Sequence, residues 1–248
     1  MDSPTPVVLI TGAAHRLGAH TARHLHQRGW NLVIHYRSRE AEANRLCVEL
    51  NGIRQESAVI VQADLASPEQ TESLANKAVS VWGRLDGLVN NASAFYPNPT
   101  VEASADDWAT IMNTNLRAPF FLGQGCLPAL KESRGAIVNM IDIYSQRPLA
   151  DHPLYCASKA GLASLTMSWA KDLAPEVRVN GVSPGAILWP EGDAAIDGAY
   201  QQSILARTPL ARTGAPEDIA GAVAFLLCDA PFVTGQILAV DGGRSLNI

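Results

Sequence analysis

The chain has 248 residues, of which 47% are hydrophobic and 17% charged, and its net charge is −5. These values allow one large buried core, and an acidic chain without a basic cluster argues against a nucleic-acid partner. No apolar run reaches the roughly 20 residues that a membrane-spanning helix needs, so we predict no membrane partner.

The N-terminal segment and the cysteines indicate the compartment. MDSPTPVVLITG has neither a basic start nor a long apolar stretch, so we do not expect a signal peptide. The four cysteines are scattered and form no C-x-x-C pair, which fits a reducing environment: Cys47, Cys126, Cys156 and Cys228. We therefore expect a cytoplasmic protein.

Two kinds of segment alternate along the chain. Short β-branched runs predict strands at residues 6–11, 31–36, 57–64, 87–92, 135–141, 177–184 and 236–242. Helical spacing of apolar residues predicts helices at residues 17–28, 40–51, 68–82, 106–130, 154–173 and 216–228. This alternation is typical of a parallel sheet covered on both faces. We predict one doubly wound α/β domain over residues 1–248, in which the irregular segment at about 185–215 is a substrate loop.

The first strand leads into a glycine turn and a helix, in VVLITGAAHRLGAHTARHL. Gly12 can adopt backbone angles that a Cβ forbids, and Gly18 lets the helix pack closely on the sheet. The free N–H groups at such a helix start suit a diphosphate. A two-glycine turn can also be a plain loop, but its place after the first strand favours nucleotide binding.

The end of the second strand favours NADPH over NADH. Residues 30–39 read WNLVIHYRSR and contain no acid that could hold the ribose hydroxyls. Arg37 can pair with a 2′-phosphate and Ser38 can donate to it, with Arg39 or Arg16 as helpers. The alternative is a solvated basic turn.

Tyr155 and Lys159 are four residues apart on a predicted helix, so both side chains project from one face. The phenol normally titrates near ~10, and we expect the neighbouring ammonium to lower its pKa towards useful general-acid strength. Standing alone, the pair would be ordinary helix surface.

Six segments together resemble the short-chain dehydrogenase/reductase family in order and spacing: TGAAHRLG, NNASAFYP, GAIVNMID, YCASK, VRVNGVSPG and VTGQILAVDGG. The resemblance implies a Rossmann-type sheet of about seven strands, a nicotinamide cofactor and a tetramer or dimer; we expect a homotetramer. It implies that Tyr155 is the proton donor and that Lys159 holds the nicotinamide ribose and tunes the tyrosine. Asn115 would support a proton-relay water.

The same resemblance implies cofactor contacts along the chain. Asp64 would meet the adenine, Asn91 and Ala92 the adjacent ribose, and Pro184–Gly185 the nicotinamide side. The complete expected set is Gly12, Arg16, Leu17, Gly18, His35, Tyr36, Arg37, Ser38, Asp64, Leu65, Asn91, Ala92, Ser93, Tyr155, Lys159, Pro184 and Gly185. We predict no metal, because the histidines near the first helix have no companion carboxylate or cysteine set.

Two departures from the common family pattern narrow the resemblance. Arg16 replaces the middle glycine of TGxxxGxG, and Asp142 replaces the serine that usually stands thirteen residues before the tyrosine. With HYRS and NNASAFYP, these residues resemble the pteridine reductases, including dihydromonapterin and dihydrofolate reductases built on this scaffold. The subfamily implies a catalytic set of Asp142, Tyr155 and Lys159. It also implies that Phe95 stacks on the pterin and that Arg16 reaches substrate and cofactor phosphate.

A carboxylate at position 142 is a poor partner for a carbonyl oxygen, since both groups only accept hydrogen bonds. Asp142 therefore argues against simple ketone reduction, and it could pass a proton through Tyr155 or bind the substrate. Alternatively, it only caps the strand end and forms an ion pair. The expected substrate contacts are Arg16, Ser93, Phe95, Asp142, Tyr155 and Trp189.

These observations predict an oxidoreductase that uses NADPH/NADP to reduce a pteridine C=N bond. Expected substrates are dihydropterins such as dihydromonapterin, dihydrobiopterin or dihydrofolate, which would be converted to the tetrahydro form. One alternative is a short-chain reductase of another small carbonyl or imine. Another is an NADP-sensing protein without catalysis, against which the complete proton-transfer set counts.

Overall fold

The computed structural model describes residues 5–189 and 196–247, whose strands form one seven-stranded sheet. The strand order is β3-β2-β1-β4-β5-β6-β7, and every pair is parallel. The strands are β1 Val7–Ile10, β2 Asn31–Tyr36, β3 Ala58–Gln62, β4 Gly87–Asn90, β5 Ala136–Met140, β6 Arg178–Pro184 and β7 Ile237–Val240. The predicted Rossmann-type α/β fold is confirmed.

Helices cover both faces of this sheet. They are α1 Arg16–Gln27, α2 Glu40–Ile53, α3 Pro68–Ser80, α4 Ala105–Met112, α5 Ala118–Glu132, α6 Pro153–Asp172, α7 Gly198–Ala206 and α8 Pro216–Ala224. Strand β1 is buried on both sides: Val8 and Ile10 pack with α1, α2 and α8, whereas Val7 and Leu9 pack with α3, α5 and α6. Burial on both faces explains why the strands are continuous apolar runs rather than alternating ones. No helix in the described part of the chain is long and apolar enough to cross a membrane.

Two predicted helices differ from the structure in their internal geometry. The helix predicted at residues 106–130 is divided into α4 and α5 by a π-helical turn, Asn113–Arg117. The last predicted helix ends as α8 at Ala224 and continues as a second π-helical turn, Phe225–Asp229. Such turns shift the helical register by one residue and often occur at functional sites.

The segment predicted to be irregular at residues 185–215 contains helix α7, so that part of the prediction was wrong. The Asp197 side chain accepts a hydrogen bond from the backbone N–H of Tyr200 at 2.7 Å and so caps the helix start. Residues 190–195 of the predicted loop lie outside the described residues.

The strand order reverses between β1 and β4, which neighbour each other in the sheet although β2 and β3 lie between them in sequence. In open parallel sheets, ligands bind in the crevice beyond the carboxyl ends of the strands at such a switch point. The predicted site residues follow these ends: Gly12 after β1, Arg37 after β2, Asn91 after β4, Asp142 after β5 and Gly185 after β6.

Candidate active site

Two adjoining cavities lie along the carboxyl edge of the sheet. The first has a volume of about 650 Å³, and the second about 970 Å³. They share His15, Arg16, Arg39, Ser93 and Phe95 as lining residues. Most predicted cofactor residues line the first cavity: Gly12, Arg16, Leu17, Gly18, His35, Tyr36, Arg37, Ser38, Asp64, Leu65, Asn91, Ala92 and Ser93.

The glycine turn is closely packed, and its shape requires residues without a Cβ at two positions. Gly12 has a φ of +62°. A Cβ on Gly18 would lie 2.4 Å from the carbonyl oxygen of Gly12 and 2.7 Å from Nδ2 of Asn91. The turn therefore brings the N-terminus of α1 to the cavity, where free N–H groups can meet a diphosphate. The described residues fit a dinucleotide at this position.

His35, at the end of β2, holds the backbone of this turn in place. Its Nδ1 accepts a hydrogen bond from the N–H of Gly12 at 3.0 Å, and its Nε2 donates to the carbonyl oxygen of Ala63 at 3.0 Å. Burial lowers the pKa of His35 to about 4, so the ring is neutral and its tautomer is set by these two partners. His35 was predicted only as a cofactor residue, and the structure adds a role in positioning the turn.

The end of β2 supplies cationic and hydroxyl groups to the first cavity. Arg37 and Ser38 are exposed there, and Arg39 forms an ion pair with Glu42 at 3.2 Å. Among the described lining residues, Asp64 is the one carboxylate, and it follows β3 rather than β2. An exposed arginine beside a serine hydroxyl fits a phosphate group at this place.

Arg16 connects the glycine turn to the loop that follows β6. Its backbone has a φ of +50°, which is unusual for a residue with a side chain and explains why a glycine is common at this position. Its Nη2 donates hydrogen bonds to the carbonyl oxygens of Leu188 at 3.0 Å and Trp189 at 2.9 Å. Arg16 lines both cavities, which places it within reach of either ligand. Its contact with substrate and cofactor phosphate stays a prediction.

The second cavity contains the predicted chemistry. All six predicted substrate residues line it: Arg16, Ser93, Phe95, Asp142, Tyr155 and Trp189. Gly185 also lines it, whereas Pro184 lies in the last hydrogen-bonded position of β6 and lines neither cavity. Asn115 and Lys159 are buried behind the cavity wall.

Asp142 and Tyr155 are in direct contact. The phenol of Tyr155 donates a hydrogen bond to Oδ2 of Asp142 at 2.7 Å. The other carboxylate oxygen, Oδ1, accepts from the N–H of Tyr144 at 2.9 Å and caps a short 3₁₀ turn, Ile143–Ser145. Asp142 thus has the capping role that the sequence left as an alternative, and it also reaches the predicted proton donor.

Lys159 lies near the ring of Tyr155. Its Nζ donates to the carbonyl oxygen of Met140 at 2.8 Å and lies 5.7 Å from the centroid of the Tyr155 ring. Burial lowers the pKa of Lys159 to about 8, while the charge of Asp142 opposes that change. The ammonium is therefore held at a fixed position and does not contact the phenol oxygen directly.

The pKa of Tyr155 is raised well above its ordinary value, first by burial and then by the charge of Asp142 and the hydrogen bond to it. The prediction that Lys159 lowers this pKa was wrong for this arrangement, because burial and then the charge of Asp142 both raise it. Burial also raises the pKa of Asp142, although its hydrogen bonds with Tyr144 and Tyr155 oppose the shift. Tyr155 is consequently a protonated phenol at neutral pH and can donate its proton.

Asn115 holds the loop after β4 in place. Its Oδ1 accepts from the N–H of Ala94 at 2.7 Å, and its Nδ2 donates to the carbonyl oxygen of Ala94 at 3.0 Å and to Oγ of Ser158 at 3.1 Å. The π-helical turn contains this fully buried side chain. These bonds join the loop to helix α6 beside Lys159. The predicted support of a relay water stays a prediction.

Phe95 follows in the same loop and contacts two aromatic rings. It meets Tyr155 edge-on, with ring centroids 4.7 Å apart and planes at 75°. It stacks on His152 at 4.8 Å with planes at 14°. His152, the residue before α6, therefore covers one face of the predicted stacking residue.

Polar residues that line the second cavity and that sequence reasoning missed include Tyr144, Tyr200 and Arg244. Tyr144 follows Asp142 by two residues, but its direction depends on the 3₁₀ turn. Arg244 is near the end of the chain and joins Tyr144 across 100 residues of sequence. No local pattern signals such a contact.

Comparison with known proteins identifies the family. A family model described as enoyl-(acyl carrier protein) reductase matches residues 12–245. The chain belongs to the short-chain dehydrogenase/reductase family. The predicted family membership is therefore confirmed.

Two curated relatives of this short-chain reductase are similar over nearly their whole length. It is 36% identical to pteridine reductase 1 of Leishmania tarentolae, covering 99% of this chain and 98% of that protein. It is 34% identical to the 3-oxoacyl-[acyl-carrier-protein] reductase FabG of Staphylococcus aureus, covering 96% and 98%. A solved structure of a blue fluorescent protein from a metagenomic library, in complex with NADPH, superposes with a TM-score of 0.89 at 34% identity. It covers 96% of this chain and 97% of that one.

Proposed function

We propose that this short-chain reductase uses NADPH to reduce a C=N bond of a dihydropterin, such as dihydromonapterin, dihydrobiopterin or dihydrofolate, to the tetrahydro form. The observation that carries the proposal is the 2.7 Å hydrogen bond from Tyr155 to Asp142 at the wall of the second cavity. The 36% identity to a pteridine reductase supports it.

The preference for NADPH rests on the end of β2. Arg37 and Ser38 are exposed in the first cavity, and a 2′-phosphate would give this cation its counter-charge. The solved structure that resembles this chain is a complex with NADPH, which supports the same cofactor here. When bound, NADPH supplies the hydride that is added to the ring carbon.

The proton path follows from the order of the groups. Tyr155 gives its phenolic proton to the ring nitrogen. Asp142 then takes up a proton from solvent and passes it to the phenolate along the line of their hydrogen bond. Because burial raises the pKa of Asp142, this carboxyl group can carry that proton more readily than an exposed aspartate. Lys159 keeps positive charge near the ring of Tyr155 and stabilises the phenolate as it forms.

The substrate class follows from the same carboxyl group and from Phe95. A carbonyl oxygen beside an ionised Asp142 would place two acceptors together, whereas a pterin presents N–H donors as well as acceptors. Phe95 lines both cavities, and its ring offers a stacking surface for a flat heterocycle next to Tyr155. We propose that the pterin ring lies between Phe95 and the nicotinamide of the cofactor.

A second candidate is reduction of a 3-oxoacyl thioester, which the 34% identity to FabG favours. A single assay separates the two candidates: NADPH oxidation by the purified protein with three dihydropterins and with an acetoacetyl thioester. We expect turnover with a dihydropterin and little with the thioester. Turnover with the thioester alone would refute the pteridine assignment, and tight NADPH binding without turnover would favour a sensor.

The variant Asp142→Ser sharpens the assay. It restores the hydroxyl that is usual in the family and removes the carboxylate that raises the pKa of Tyr155. We expect dihydropterin turnover to fall by about tenfold or more, with the pH profile shifted towards lower pH. Equal turnover and an unchanged profile would show that Asp142 is only a cap.

We further propose a homotetramer that works in the cytoplasm and binds neither nucleic acid nor membrane. Sedimentation equilibrium of the purified protein tests the tetramer, and fractionation of the source cells tests the compartment. A monomer that is fully active would contradict the tetramer.

A further inference from the structure

Arg244 is a buried cation at the second cavity. It begins the 3₁₀ turn Arg244–Leu246 after β7 and is only 5% exposed. Its Nη1 donates to the carbonyl oxygen of Ile204 at 3.1 Å, and its Nη2 donates to the Tyr144 hydroxyl at 3.4 Å. A guanidinium has five N–H donors, and the others have no acceptor among the described residues.

The charges around the cavity do not balance. Within residues 5–189 and 196–247, no carboxylate lies within ion-pair distance of Arg244. Asp142 faces the two buried cations Lys159 and Arg244, and the other lining carboxylate, Asp151, is exposed to solvent. The buried cations at the cavity therefore outnumber the carboxylate that faces them. A buried charge without a partner is costly, and such groups are usually paired or hydrogen-bonded.

The location of Arg244 separates it from the cofactor. Arg244, Tyr144, Tyr200 and Ile204 line the second cavity but not the first. Tyr144 accepts from Arg244, so its own O–H remains available to donate into the cavity. The cavity volume of about 970 Å³ is at the upper end for small-molecule sites and leaves room for a substituent beside the ring.

We propose that Arg244 and Tyr144 form an oxyanion subsite that binds a carboxylate or phosphate group on the substituent of the substrate. The guanidinium supplies charged donors, the phenol supplies a neutral one, and the anion balances the charge of the cavity. The inference rests on the proposed function for the identity of the reacting ring. The subsite itself requires only that the ligand carries an oxyanion.

Two dihydropterins with the same ring test the proposal: one has a neutral hydroxylated substituent, and the other carries a phosphate ester on that substituent. In Arg244→Gln we expect kcat/KM for the phosphate ester to fall by about ten- to a hundredfold, since a charged hydrogen bond is lost. The neutral pterin should change by less than about threefold. Tyr144→Phe should show a smaller loss with the same selectivity, and Arg244→Lys should recover part of it.

Arg207→Gln is the matched control, because Arg207 ends α7, is exposed and lines neither cavity. It removes the same charge and should leave both substrates unaffected. An equal loss for both pterins in Arg244→Gln would mean that Arg244 only maintains the cavity wall. No loss for either pterin would overturn the subsite as well.

Phosphate binding keeps this test separate from the proposed function. Inorganic phosphate is titrated by calorimetry into the NADPH-saturated protein, so that the cofactor phosphate sites are occupied. Weaker binding in Arg244→Gln than in wild type would support the subsite even if no pterin is reduced. Binding that does not depend on Arg244 would overturn it, whichever ring the enzyme reduces.

Discussion

The two cavities are built in different ways. The cofactor cavity is shaped by backbone: Gly12 at positive φ, Gly18 in close contact, and a neutral His35 that accepts from the turn. The substrate cavity is shaped by buried charge: Asp142 accepts a hydrogen bond from the phenol of Tyr155, and Lys159 lies 5.7 Å from the centroid of its ring. Backbone geometry tolerates little change in side-chain volume, whereas buried charge makes each pKa depend on its neighbours.

Because of this difference, substitutions in the two regions should affect different properties of the protein. A substitution in the glycine turn should alter stability and cofactor binding together, because the same atoms serve both. A substitution at Tyr155 or Asp142 should alter turnover while the sheet and the cofactor cavity remain intact.

The largest effect is expected from Tyr155→Phe. Loss of the phenolic proton donor should lower kcat by about 10²–10⁴-fold, the range for general acid catalysis. The Kd for NADPH, measured by fluorescence titration, should change little, because the substitution leaves the first cavity unaltered. Turnover close to that of wild type would remove Tyr155 from the proton path.

The second prediction concerns the free energy of unfolding at acidic pH, which should fall as His35 becomes protonated. Its pKa is about 4 in the folded protein and ordinarily 6.5, so the unfolded chain takes up the proton first as the pH falls. This contribution to stability is fully present above pH 6.5 and is lost between pH 6.5 and about 4, with a total of about 3 kcal/mol. Urea unfolding at a series of pH values would detect it.

His35→Gln should flatten that pH dependence. The remaining slope would contain the contribution of His26, another buried histidine whose pKa is lowered by burial. A profile that is identical in wild type and His35→Gln would show that the Gly12–His35 hydrogen bond does not control the acid limb.

Gly18→Ala should destabilise the protein by about 1–3 kcal/mol, since the new Cβ would approach backbone to 2.4 Å. NADPH binding should weaken in parallel. Gly52→Ala is the control, because it lies in α2 with no heavy atom within 4 Å of the added Cβ. Alanine there should stabilise the helix by about 0.5–1 kcal/mol. Similar changes in both variants would contradict the close packing of the turn.

The smallest effect is expected from Arg37→Ala, because this side chain is exposed to solvent. The KM for NADPH should rise by about tenfold, while the KM for NADH should remain the same. Arg45→Ala, an exposed arginine of α2 that lines neither cavity, should change neither constant. Equal changes for both cofactors would assign Arg37 a role other than binding the 2′-phosphate.

Much of the fold was predictable because the apolar strands are short, β-branched and separated by strong helical periodicity. All seven strand predictions were confirmed, with ends that differ by only a few residues. The π-helical turn at Asn113–Arg117 escaped prediction because it changes the register without a proline or glycine to mark it. Helix α7 was missed because the sequence around its capping residue, Asp197, has no clear apolar periodicity.

The site was predictable in its residues more than in its electrostatics. The spacing of Tyr155 and Lys159 correctly placed both on α6, but spacing along a helix does not reveal where the ammonium finds its acceptor. The ammonium of Lys159 donates to the carbonyl oxygen of Met140, and Asp142 accepts the hydrogen bond from the phenol of Tyr155. The pKa of Tyr155 is therefore raised, although the pair alone suggested the opposite.

The sequence by itself determined the parallel sheet and the glycine turn, because these depend on local composition and on short fixed spacings. The set of Asp142, Tyr155 and Lys159 was implied by the resemblance to the pteridine reductases. Only the tertiary structure decided which charges face one another. Arg244 and Tyr144 meet across 100 residues, and His35 reaches Gly12 across 23. Such contacts depend on the strand order and on which side chains are buried. Burial also shifts the pKa of an ionisable side chain away from its ordinary value, and the sequence does not show how far.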